Sequence, residues 1–171
     1  MKSNIVLITS LFVLLIASRL ITEIPNFTPT IALVMFTGYL IKNRYLAILV
    51  ILSSQIISDL YIGIYSSMVF VYGAYVLIAA LMPTIIKSFN IKSMLIASFI
   101  SPTLFYIITN FGVWITGSMY PLSIAGLLSC YVAGIPFFDE SLISTVLFTV
   151  TIYFALKYTI KKPDAVTLVK K

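Results

Sequence analysis

Residues 68–88 read MVFVYGAYVLIAALMPTIIKS. From Met68 to Ile86 there is no charged side chain, and Lys87 follows directly. A helix needs about 20 such residues to cross a hydrocarbon core of about 30 Å. The stretch is apolar on all sides rather than along one 3.6-residue stripe, the pattern of a helix with no aqueous face. A soluble domain would have to bury it completely.

The same pattern recurs outward in both directions. Apolar segments lie at about 4–21, 30–41, 45–62, 68–86, 93–115 and 141–160. A seventh run, about 121–138, is bracketed by Pro121 and Pro136 and contains Gly126 and Gly134. Of the 171 residues, 61% are hydrophobic and 9% charged, against about 45–50% and about 25% in soluble domains. The fold expected is all-α, a polytopic bundle of six transmembrane helices forming one domain over residues 1–160, with a basic tail at 161–171. The runs lack the strict alternation of a membrane β-barrel. The first run, Asn4 to Ile21, exceeds a signal-peptide core and has no small-residue cleavage site after it, so it reads as a retained helix.

Charge separates six crossings from seven. With the N-terminus inside and six crossings, Lys2, Lys42, Arg44, Lys87, Lys92, Lys157, Lys161, Lys162, Lys170 and Lys171 all fall on the cytoplasmic side. Only Arg19 lies towards the outside, where Glu23, Asp59, Asp139 and Glu140 also fall. Cytoplasmic loops carry the excess of Lys and Arg. A seventh crossing would place the C-terminal lysines outside. The 121–138 run therefore reads as a re-entrant or outer-surface segment before the last helix. The location implied is a cell (inner) membrane, multi-pass, with both termini cytoplasmic. The basic residues flank apolar runs and do not interleave with aromatics, so the net charge of +6 signals lipid rather than nucleic acid.

The second span is short. Twelve residues separate Pro29 from Lys42, too few for a full crossing as helix. Ile24-Pro25-Asn26-Phe27-Thr28-Pro29 before it cannot be regular helix, because proline lacks an N–H and disfavours helix in the preceding residue. A proline-interrupted segment at membrane depth survives where protein or a wet cavity satisfies its backbone, and it marks binding sites in transporters. A plain outer loop feeding a tilted helix is the alternative.

Charged groups within spans are costly and mark sites by default. Arg19 ends the first span; it can snorkel, pair with Glu23 one turn on, or face the interior. Asp59 ends the third span with Gln55 one turn before it, and Arg19 is its expected partner. Tyr106, Asn110 and Trp114 project from one face of the fifth span, as interior groups or as an interfacial belt with helix-to-helix hydrogen bonds. Ser101-Pro102 is expected to kink that span. Gly73 and Ala80 could form a close-packing stripe on the fourth. No histidine is present and Cys130 is the lone cysteine, which leaves no metal cluster, no cofactor motif and no catalytic constellation. Every lysine sits at a cytoplasmic edge, away from a serine nucleophile. The chain reads as a non-enzyme.

Pro25-Asn26-Phe27-Thr28-Pro29, the short helix ending near Gly38, and basic Lys42-Asn43-Arg44 resemble the substrate-binding S components of energy-coupling-factor transporters. Phe27-Thr28-Pro29, Ser58-Asp59-Leu60, Thr109-Asn110-Phe111-Gly112-Val113-Trp114, and Cys130-Tyr131 through Ile135-Pro136-Phe137-Phe138 look closer still to an uncharacterised bacterial membrane family of that broader group. The resemblance implies six spans, both termini inside, a site opening outwards, and partnership with an energy-coupling transmembrane subunit and ATPases. The first span, Ile5 to Ala17, lacks the alanine pair with which many S components dock that subunit. The expected function is binding or uptake of a small metabolite, zwitterionic or carboxylate-bearing. Arg19 and Asp59 would be charged anchors, Asn26, Gln55 and Asn110 hydrogen-bonding groups, and Trp114 with Tyr131 apolar walls. The alternative is a structural or accessory subunit of a larger membrane complex, in which the same residues only hold helices together.

Overall fold

The computed structural model describes residues 2–21 and 26–159, with only the backbone for residues 2–4. Six helices follow one another: α1 Lys2–Leu20, α2 Thr30–Leu40, α3 Arg44–Ile62, α4 Met68–Ile85, α5 Ile91–Thr116 and α6 Ile124–Thr159. Four of them, α3 to α6, are long and apolar enough to cross a membrane; α1 over Ile5–Leu20 and α2 are apolar but shorter. Their boundaries follow local chemistry. Asn43 Oδ1 accepts the Leu46 N–H at 3.1 Å and Asn90 Oδ1 accepts the Ser93 N–H at 2.9 Å, capping α3 and α5. Gly63, at φ 115°, ends α3 in a conformation that side chains avoid.

The centre of the bundle is α2. Ala32, Val34, Met35 and Phe36 are fully buried, and α2 touches all five other helices. Its short length and uniform apolarity therefore belong to a helix walled by protein. Gly38 permits the closest approach: a Cβ there would overlap the backbone of Ala79 in α4. Pro83 lies inside α4 and cannot supply the N–H that would bond the carbonyl four residues back, that of Ala79. The contact point is thus a carbonyl released from its own helix. The close-packing stripe expected at Gly73 and Ala80 lies instead at Gly38 and Ala79; a Cβ on Gly73 would meet open space.

Of the two forms expected for 121–138, re-entrant or outer-surface, the re-entrant one is not formed. The chain enters α6 at Ile124 and continues as one helix of 36 residues through Pro136, Asp139 and Glu140, about 54 Å of helix. A re-entrant segment must turn back before the next span, and this one does not. The glycines that suggested breaks serve packing: Gly126 lies under Pro121 and Gly134 against the Asn110 amide. Helix α5 also runs unbroken past Pro102. The two pair antiparallel along their length, as contacts of Phe89 with Tyr153, Tyr106 with Phe138, and Cys130 with Asn110 show.

At one end, basic residues gather with a row of aromatic rings. Tyr39, Phe89 and Tyr153 follow one another at centroid spacings of 6.2 and 5.0 Å, and Lys157 Nζ lies 5.8 Å from the Tyr153 ring. The tail 161–171 and Glu23, with its expected pairing to Arg19, lie outside the described residues.

Candidate functional site

The opposite end of α1, α2 and α3 holds a charged centre. Arg19 Nη2 is 2.6 Å from Asp59 Oδ1; the geometry is that of an ion pair rather than an aligned hydrogen bond. Arg19 Nη1 donates to Gln55 Oε1 at 3.0 Å, and the Tyr72 hydroxyl donates to Asp59 Oδ2 at 2.7 Å. Asp59 is 2% exposed and Arg19 14%. A carboxylate this deep is tolerable only with a cation and hydrogen bonds on its oxygens. Spacing explains the assembly: Gln55 and Asp59 stand one turn apart on one face of α3, and α1 packs against α3, so Arg19 meets both.

The exposed edge of Arg19 borders a cavity of about 250 Å³. Asn26, Thr28, Thr30, Tyr65, Tyr75 and Ser141 contribute polar atoms to its wall, with Val71 and Phe105 on the apolar side. Asn26 has φ 59°, a left-handed conformation that asparagine accepts more readily than most residues. Its carbonyl accepts from Ser144 Oγ at 3.4 Å. Thr28 Oγ1 donates to Thr30 Oγ1 at 3.0 Å, and Thr30 Oγ1 shares a hydrogen bond with Ser18 Oγ at 2.8 Å. The proline-bounded turn is thus held by a line of hydroxyls. Burial pushes the Tyr65 hydroxyl above its ordinary pKa, and the Asp59 charge adds to the rise while the Arg19 charge opposes it.

The expected site residues divide. Arg19, Gln55 and Asp59 come together, with Asn26 on the same cavity. Asn110 borders a narrow adjoining crevice with Asn26, but its amide donates to the Tyr106 carbonyl of its own helix at 2.9 Å. Trp114 and Tyr131 do not line the cavity. Trp114 Nε1 donates to the Pro121 carbonyl at 3.0 Å, closing the α5–α6 turn, and the Tyr131 hydroxyl donates to the Ile107 carbonyl at 2.7 Å. These hydrogen bonds tie the two long helices together. Sequence reading missed Tyr65, Tyr72 and Tyr75, and Thr30 and Ser141, which carry no sequence signal. Tyr72 and Tyr75 stand three apart on α4, a spacing that placed beside Asp59 could have flagged them.

A family profile matches residues 1–166, nearly the whole chain. The chain belongs to DUF6580, a family of unknown function. No curated protein and no solved structure proved similar to it. In this DUF6580 chain the site must therefore be read from its own chemistry.

Proposed function

We propose that the chain is a six-span membrane protein with both ends on the cytoplasmic side, and that it binds a small polar metabolite entering the Arg19 cavity from outside. The observation that carries this reading is a buried ion pair with one edge open to a cavity of about 250 Å³ walled by hydroxyl and amide groups. Ligand sites are concave, with a few convergent polar groups on an apolar frame, and run from about 300 Å³ upward. This cavity suits a small ligand. Because Asp59 already neutralises Arg19, an uncharged or zwitterionic compound fits better than a bare carboxylate, which would compete with Asp59. The clustering of Lys42, Arg44 and Lys87 at the far end supports the orientation. The resemblance to S components points the same way and adds an energy-coupling subunit and ATPases as candidate partners.

A second reading, an accessory subunit without a ligand, is favoured by one fact. Arg19, Gln55, Asp59 and Tyr72 satisfy one another, as a purely structural network would. Native mass spectrometry of the purified protein with a mixture of amino acids, vitamins and polyols separates the two. Uptake predicts a saturable adduct that Val71→Phe, which fills the cavity, abolishes. An empty cavity with a co-purifying membrane partner favours the accessory reading.

A further inference from the structure

At the basic end lies a second and larger cleft, of about 870 Å³. It opens between the α2–α3 turn and the last turns of α4. Lys42, Arg44 and Lys87 border it, with Tyr39, Asn43 and Tyr45, and its floor is Ile48, Ala80, Pro83 and Ile86. Among the described residues none of the three cations forms a salt bridge: the ion pair there is Arg19–Asp59, at the other end of the helices. Among the described residues their charge is uncompensated.

We infer that this cleft seats the headgroup of an anionic phospholipid. Three unpaired cations around one opening supply the field and donors that a phosphate needs. The apolar floor separates a lipid from free phosphate, which would gain nothing from Ile48 and Ala80. Ala80 keeps the α3–α4 crevice open, and a smaller crevice lined by Arg44, Ala47, Ile48 and Ala79 continues it to Gly38. Beside it, Tyr45 and Leu49 on α3 are 88% and 63% exposed and Leu77 on α4 is 39% exposed, an apolar flank for acyl chains. Basic pockets between helices on the cytoplasmic side are where such headgroups bind. The inference needs the chain to lie in a membrane and does not depend on the Arg19 cavity being a transport site.

Native mass spectrometry of the detergent-purified chain, titrated with phosphatidylglycerol or phosphatidylcholine, tests it. Phosphatidylglycerol is expected to bind more tightly, and Lys42→Ala and Lys87→Ala each to weaken it by roughly five-fold. Lys92→Ala and Lys157→Ala, at the same end but outside the cleft lining, are expected to leave it unchanged. Equal loss from all four variants would reduce the effect to general surface charge and overturn the site. So would equal binding of the two lipids. Displacement by millimolar inorganic phosphate would replace the lipid with a free anion. All three cleft cations are at the surface, so Lys42→Glu serves as a folded check: it is expected to abolish the preference with the melting temperature retained.

Discussion

Removing one half of the Arg19–Asp59 pair gives the sharpest energetic test. Arg19→Leu leaves Asp59, 2% exposed, without its cation. Breaking a buried pair from one side costs about 3–5 kcal/mol, because the remaining charge stays desolvated. Asp59→Leu strands Arg19, which is 14% exposed and can turn towards the cavity, so its cost belongs near the lower limit, about 3 kcal/mol. The double variant strands neither charge. It leaves only Gln55 and Tyr72 short of a partner, about 1–3 kcal/mol in all. The single losses add to about 6–8 kcal/mol, so the coupling expected from the cycle is about 3–7 kcal/mol. Equilibrium unfolding in mixed micelles, titrated with dodecyl sulfate, reads all four proteins on one scale. Losses additive to within about 0.5 kcal/mol would refute the pairing as an energetic unit.

Smaller changes probe the packing. Gly38→Ala drives a Cβ into the Ala79 backbone and is expected to cost about 1–3 kcal/mol by the same titration, whereas Gly73→Ala meets open space and is expected to be neutral or to stabilise by up to about 1 kcal/mol. Gly134→Ala presses on the Asn110 side chain; Asn110→Ala in the same chain is expected to recover most of that loss in melting temperature. Trp114→Phe removes the hydrogen bond to Pro121 at a cost of about 1 kcal/mol. Native Trp114 emission is expected to stay constant when a ligand enters the Arg19 cavity, while a tryptophan placed by Tyr65→Trp responds.

Much of this architecture is legible in the chain, for identifiable reasons. Helix α2 starts and ends where Pro29 and Lys42 say it must. Arg19 and Asp59 stand out because a charge among apolar residues needs a partner. The continuity of α6 is not legible. Pro121, Gly126, Gly134, Pro136 and the Asp139–Glu140 pair all read locally as interruptions, and what keeps the helix whole is packing along α5 that no local pattern encodes. The same holds for Trp114 and Asn110, whose side chains satisfy nearby carbonyls rather than a shared cavity. The need for glycine at position 38 comes from Ala79 of α4, a neighbour distant in sequence.

In the proposed orientation the Arg19 cavity faces outwards and the basic cleft faces the cytoplasm. Cysteine accessibility in intact cells tests it most directly. In a Cys130→Ser background, Tyr65→Cys on the cavity wall and Lys87→Cys at the cleft rim are treated with a membrane-impermeant maleimide. Labelling is expected of Tyr65→Cys in intact cells and of Lys87→Cys only after permeabilisation. Labelling of Lys87→Cys from outside, with Tyr65→Cys protected until the cells are opened, would contradict it.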